Sequence, residues 1–510
     1  MWRWMSIAWL LSITSLANAQ TLKDPALQVK QLVAGLSLPT TMAFIGLDDL
    51  LVLQKNDGRV RRVIGGVLQP GSVLDVAVDR LSERGLLGIA VHPEFPAKPF
   101  VYLYYTESST GEDTAGIPPP LGNRVYRYTW DGRTLSQPLL LLDLPATPGP
   151  NHDGGVITFG PDDKLYVVIG DLNHGGQLQN FRTGSPPDDT SVIFRLNDDG
   201  TIPRDNPFVA QGGKLARYYA YGIRNSFGLA FDPVTEKLWM TENGPTSFDE
   251  INLVEPGFNS GWVQILGPDV RDPEGIEDLF QVPGSRYRDP EFSWLTNVAP
   301  TGIVFLHSMQ LGEPYRDNVF VGDFNRGTLY RFQLNTTRDG FVFQHPGLAD
   351  RVADTEDELT ELIFGTGFGG ISDLKVGSDG LLYVLSIAQG KIFVVSRVPT
   401  AVDLPPMERT TAGAPPSGGG GGGCAMNPGV GFDPTLVGLM GVALIYLSWT
   451  RLRRRTRQLV MASTRRVRAH ATLRESAPLK SLALAPVRVR ALRDPLPKAL
   501  SLWLAHRSQS

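Results

Sequence analysis

The chain has 510 residues, a formal net charge of −4, 42% hydrophobic residues and a single cysteine. One cysteine excludes an internal disulfide, so burial, with any bound metal, must hold the fold. Residues 451–510 contain fifteen Lys/Arg against two acidic residues, which leaves the preceding 450 distinctly acidic and argues against a nucleic-acid ligand for the folded part.

Met1 to Ala19, "MWRWMSIAWLLSITSLANA", has an early arginine, a short apolar run and the small-x-small ending Ala17-Asn18-Ala19. This is the pattern of a secretory signal peptide, cleaved before Gln20. The apolar run is too short for an N-terminal membrane anchor.

Residues 25–400 contain no Pro/Gly-rich break and little helical periodicity; short apolar or alternating runs bounded by Gly, Asp, Asn and Pro predict an all-β domain. One unit recurs: an apolar strand, a turn, a second strand carrying aromatic residues, then a polar end. Copies start at Met42, Ile89, Ile157, Leu229, Ile303 and Leu374. Six such copies at spacings of about 47 to 74 residues predict a six-bladed β-propeller with long inserted loops, because one blade cannot bury both of its faces alone. Polar loops distant in sequence then converge on the central channel.

Three loop segments carry candidate chemistry. In "GPNHDGGVITF", His152 lies on a glycine-rich turn between Asn151 and Asp153. An imidazole there suits a general base, and Asp153 is positioned in sequence to raise its basicity. His92, in a Pro-containing blade turn, reads as structural, whereas His174, in a polar loop, is a rival that can face the channel. In "YAYGIRNSFGLAF", Arg224 and Asn225 join a cationic fork to an amide on a tight turn, suited to an anionic or quinoid oxygen. In "TENGPTSFDEINLVEPGFNSGW", Glu242, Asp249, Glu250 and Asn252 accompany the Gly244-Pro245 carbonyls. Hard oxygen donors without histidine or cysteine favour calcium, although the spacing is not that of an EF-hand.

Beyond the propeller, residues 401–423 form a Pro/Gly linker. Residues 424–457 follow with Cys424, the apolar run Phe432 to Trp449 and an arginine cluster, and residues 458–510 form a basic tail. The apolar run is about long enough to span a bilayer, with the arginines cytoplasmic. Linker, cysteine, span and arginines in this order resemble bacterial C-terminal sorting signals of the CTERM type, trimmed by a membrane protease; a permanent single-span anchor is the alternative. Either way the protein is expected to be exported, periplasmic or at the cell surface, and membrane-tethered at its C-terminus.

The segments "RGLLGIAVHPEF", "NHDGG" before "GPDDKLYVVIGD", "YGIRNSFGLAFDP", "ENGPTSFDEINL" with "GFNSGW", and "FNRGTLYRF" together resemble the soluble quinoprotein sugar dehydrogenases of the glucose/sorbosone and aldose sugar dehydrogenase family. The resemblance covers about Leu32 to Val398. It implies oxidation of an aldose or related polyol by pyrroloquinoline quinone (PQQ) with calcium. Carried over by position, His152 is the base for the sugar hydroxyl, while Glu83, Arg224, Asn225 and Asn325 stand at cofactor-binding positions. Gly244 and Pro245 offer carbonyls to the calcium beside PQQ; Glu250 and the backbone at Ser260 match a second, structural calcium site.

The chain also departs from this family. Glu83-Arg84 stands where relatives commonly place a glutamine, Asn325 replaces a lysine, and Gly370, Ile371 and Ser372 occupy the region where relatives carry arginines for the PQQ carboxylates. Burying a tricarboxylate without cations is unfavourable by several kcal/mol per unpaired charge. Arg84, Arg224 and Arg326 are the candidate substitutes. No Cys-x-x-Cys-His haem signature is present, so a separate electron acceptor is expected. Two further readings stand beside the sugar dehydrogenase: a non-catalytic surface propeller binding carbohydrate or protein, and a calcium-dependent lactonase.

Overall fold

The computed structural model describes residues 19–272 and 275–399. Met1–Asn18, the linker, Cys424, the expected C-terminal span and the basic tail lie outside the described residues. Among the described residues no helix is long and apolar enough to cross a membrane.

The strands form six sheets of at least four strands each. The inner strands are Pro39–Gly46, Leu86–Val91, Ile157–Phe159, Gly228–Phe231, Pro300–Leu306 and Ile371–Val376. Each of the six repeat units begins within one of these strands. Every inner strand touches the next, and the sixth touches the first, so they close a ring around one axis. This is an all-β propeller.

Alternation within single strands explains the packing. In Asp49–Gln54, Leu50 and Val52 join an apolar cluster shared with the sixth sheet, whereas Leu51 and Leu53 join one shared with the second. The same period of two places one apolar cluster between each pair of neighbouring sheets around the ring. A fully buried Val, Leu or Ile contributes roughly 1.5–3 kcal/mol, so these interfaces hold the ring without a disulfide. Closure is also topological. The early strand Leu27–Val33 pairs antiparallel with Lys391–Arg397 and completes the sixth sheet from the opposite end of the domain.

One insertion departs from the simple meander and bears on the site. After Asp249–Val254 in the fourth sheet, the chain crosses to the third, where Phe258–Asn259 runs parallel beside Tyr218–Tyr221. It returns to the fourth sheet as Phe292–Trp294. The crossing places the segment around Trp262 against residues of both sheets.

Candidate active site

In an antiparallel meander the inner strand begins at the end where the second strand finishes. Residues just before the inner strands therefore share one face with those just after the second strands. Glu83, His152, Arg224 and Asn225 precede inner strands, while Lys55, Asp171, Gly244, Pro245 and Asn325 follow second strands. Loops of five of the six sheets thus contribute to the same end of the channel.

His152 sits at φ 65° and is 7% exposed. Its backbone N–H donates to Glu83 Oε2 at 2.7 Å. Its Nδ1 lies 2.5 Å from Asp171 Oδ1. The same carboxylate accepts the Asn173 N–H and the Trp262 indole N–H, both at 2.7 Å. Because Asp171 acts as acceptor throughout, the proton belongs on Nδ1, leaving Nε2 a lone pair with no protein partner among the described residues.

The carboxylate next to the histidine is therefore Asp171, not the adjacent Asp153. The left-handed turn sends consecutive side chains apart, and Asp153 is fully buried, accepting the Asn123 amide at 2.9 Å. Burial pushes its carboxyl up to about 7. Gly170 permits the dyad to assemble: a Cβ there would lie 2.4 Å from the Arg224 carbonyl oxygen and 2.5 Å from that of His152.

Arg224 and Asn225 meet the same network from the fourth sheet. The Arg224 N–H donates to Glu242 at 2.6 Å, its Nη1 to the Asn243 carbonyl at 2.7 Å, and its guanidinium lies 5.3 Å from the centre of the Trp262 ring. Burial lowers its pKa, opposed by the pull of Asp171, Glu83 and Glu242. Asn225 donates its amide to Glu83 Oε2 at 2.9 Å, so one carboxylate oxygen ties the His152 turn to the Arg224 turn. Two buried polar atoms here lack partners, Arg224 Nε and Asn225 Oδ1. A buried donor and a buried acceptor left open on consecutive residues suit a polar ligand.

Next to this pair, Glu242 and Glu250 face one another across paired strands. Burial raises both carboxyls above their usual range. Ser260 Oγ donates to Glu242 at 2.5 Å, and the Asn252 amide and Gly267 N–H donate to Glu250 at 3.0 and 2.9 Å. A cavity of about 10 Å³, lined by Glu242, Gly244, Glu250 and Ser260 with Arg224 and Trp262, has room for one atom-sized ligand. Carboxylates, a hydroxyl and a carbonyl fit a hard cation such as calcium. Pro245 lies on the exposed turn beside it. No group of three or more His, Cys, Asp or Glu side chains arranged for a metal occurs among the described residues, so such a site must draw on these backbone and hydroxyl oxygens.

The expected substitute cations part company. Arg84 is buried in the wall, paired with Asp79 at 3.5 Å and Asp153 at 4.0 Å. Arg326 is held by Glu356 at 2.9 Å. Ile371 is buried and Ser372 donates to the Pro39 carbonyl at 2.8 Å, so the sixth sheet supplies no cation at those positions. Asn325 is exposed on its turn. His92 lies against Asp198 at 3.3 Å and packs on Phe100, a structural role, while His174 pairs with Asp188 at 2.8 Å.

Sequence reasoning missed Asp171, Trp262 and Lys55. Lys55 donates to the Ser82 carbonyl at 2.7 Å, and burial lowers its pKa to about 8 against the pull of Asp153 and Glu83. A legible signal existed for two of them: Lys55 and Asp171 are the polar residues that end the second strand of their repeat units. Trp262 comes from the crossing insertion, which the repeat does not encode.

Residues 36–394 match the family model for glucose/sorbosone dehydrogenase. The chain belongs to this family. An aldose sugar dehydrogenase of Escherichia coli is 27% identical over 410 residues, 76% of this chain and 97% of that one. Quinoprotein glucose dehydrogenase B of Acinetobacter calcoaceticus is 32% identical over 256 residues, 47% of this chain and 52% of that one. Among solved structures, the PQQ-bound aldose sugar dehydrogenase of Streptomyces coelicolor superposes with a TM-score of 0.53 at 25% identity, covering 73% of this chain and 99% of that one. These relatives place the family member described here among oxidoreductases.

Proposed function

We propose that the protein oxidises the C1 hydroxyl of an aldose, or a hydroxyl of a related polyol, using PQQ with calcium beside it. The observation that carries this reading is the His152–Asp171 dyad, fixed on Nδ1 with Nε2 open, next to the unpartnered Arg224 Nε and Asn225 Oδ1. PQQ, when bound, supplies the quinone carbon that accepts hydride.

The chain's own residues do the rest. His152 Nε2 takes the hydroxyl proton, and Asp171 holds the resulting imidazolium in place. Arg224 and Asn225 bind and orient quinone oxygens, with Glu83 fixing the Asn225 amide. The carbonyls of Gly244 and Pro245 would hold the calcium beside PQQ, and Glu250 with the backbone at Ser260 would hold a second, structural calcium. Lys55, buried and drawn by Asp153 and Glu83, is a further cation at this end of the channel. Electrons pass to a separate acceptor, and the exported propeller is tethered to the membrane by the C-terminal segment.

The bare sixth-sheet positions favour a second reading, a propeller that keeps the fold and binds carbohydrate or protein without turnover. Calorimetric titration of PQQ into the full chain with calcium, alongside dye-linked assays on a panel of aldoses, separates the two. Tight calcium-dependent binding with dye reduction supports the dehydrogenase. No binding overturns it.

A further inference from the structure

We infer that Trp262 is a positioning residue that couples the general-base dyad to the Arg224 guanidinium, an inference resting on the functional reading above. Its two chemical faces are used by two different partners. The indole N–H donates to Asp171 Oδ2 at 2.7 Å, while Asp171 Oδ1 holds His152 Nδ1. The ring itself lies under Arg224, with the guanidinium carbon 5.3 Å from its centre. The chain His152, Asp171, Trp262, Arg224 therefore joins third-sheet residues to a fourth-sheet residue through one side chain.

The backbone holds that side chain at a fixed depth. The Trp262 N–H donates to the Gly222 carbonyl at 3.1 Å, and its carbonyl accepts the Asn180 amide at 2.8 Å. Asn180 is itself buried and paired in both directions with Asn259, at 3.0 and 2.8 Å. The indole is thus pinned on the third sheet before it reaches Arg224. A carboxylate left with one anchoring donor fewer is freer to rotate, and the imidazole it steers rotates with it. A guanidinium without the ring beneath it loses an attraction that is stronger out of water.

The two functions separate by substitution. Trp262→Phe keeps a ring for Arg224 and removes the N–H; Trp262→Leu removes both. In the full chain loaded with calcium and PQQ, Trp262→Phe is expected to lower kcat by about 10- to 100-fold, by analogy with partners that orient a ligating histidine. Its PQQ Kd, titrated calorimetrically into the apoprotein, stays within about threefold of the parent. Trp262→Leu is expected to lower kcat as far and to weaken PQQ binding by a further factor of about 2 to 30. A parallel loss of kcat, PQQ affinity and melting temperature in both variants would reduce Trp262 to a packing role and overturn the inference, as would unchanged kcat. Should the parent chain itself bind no PQQ, the functional reading fails separately, and exchange of the indole N–H in the apoprotein decides the coupling. The exchange is expected to be about tenfold slower in the parent than in Asp171→Asn, and equal rates overturn it.

Discussion

His152 Nδ1 and Asp171 Oδ1 lie 2.5 Å apart, and Gly170, the residue before Asp171, leaves room for the His152 backbone to come this close. Asp171 accepts at both oxygens, so an amide in its place must direct its NH₂ at one of three donors. His152→Ala is therefore expected to fold and to bind PQQ while losing about 10² to 10⁴ in turnover, and Asp171→Asn to approach the same loss. Steady-state kinetics on the loaded enzyme check both; turnover within a few-fold of the parent would remove the dyad from the mechanism.

Gly170 should tolerate no substitution. A Cβ would stand 2.4 and 2.5 Å from two backbone oxygens and 3.1 Å from the His152 Cβ, so the His152 and Arg224 turns must separate. Gly170→Ala is expected to destabilise the chain by about 1–3 kcal/mol, as overpacked sites do. Because the displaced atoms belong to the base and to the fork, PQQ affinity should also drop at temperatures where the variant is fully folded. Denaturant unfolding and calorimetry on one sample separate the two effects, and unaltered affinity would show that the turns move without disturbing the site.

Asp153 gives the domain a pH dependence whose sign follows from its burial. Its folded pKa is about 7, against roughly 3.9 for an unfolded aspartate. Between these values the folded chain holds the proton and the unfolded chain does not, so stability falls as pH rises. The contribution is fully present below about pH 4 and is lost by about pH 7, with a slope of at most about 1.4 kcal/mol per pH unit. Asp153→Asn removes the titration while retaining an acceptor for Asn123. Urea unfolding from pH 4 to 8 should show a steeper downward slope in the parent than in the variant, which keeps the contributions of Glu242 and Glu250; equal slopes would place the proton elsewhere.

The ring was legible because its cause is periodic: each repeat unit supplies an inner strand, and alternation within runs such as Leu50 to Leu53 assigns side chains to opposite interfaces. His152, Arg224 and Asn225 were legible because they sit on turns at the start of such strands. The partner of His152 was not, since a left-handed turn at φ 65° sends Asp153 into the wall and brings in Asp171 from the neighbouring strand. Adjacency in sequence is a poor guide where the backbone reverses. Trp262 was hidden for a different reason, since it arrives from an insertion whose path across two sheets no local pattern specifies. Arg84 and Arg326 illustrate the converse, cations visible in sequence but neutralised by Asp79 and Glu356 in space.

Calcium binding offers the last test, and it bears on stability as well as on chemistry. Glu242 and Glu250 are buried opposite one another, each held by donors that favour the charged form while burial and mutual repulsion oppose it. A divalent cation in the adjoining cavity removes the repulsion and binds only the folded chain. At a calcium concentration one hundred times Kd, the folded state gains about 2.7 kcal/mol. The melting temperature should therefore rise with calcium and return on chelation, whether or not PQQ is present. Glu250→Gln keeps the size of the side chain and halves the charge of the pair. Its amide must turn the NH₂ toward the Asn252 or the Gly267 donor, which offsets the lost repulsion, so the variant is read by its calcium response, which should be smaller than the parent's. A calcium response equal in parent and variant would move the ion away from Glu250, while no response in either would leave the two carboxylates as a protonated structural pair.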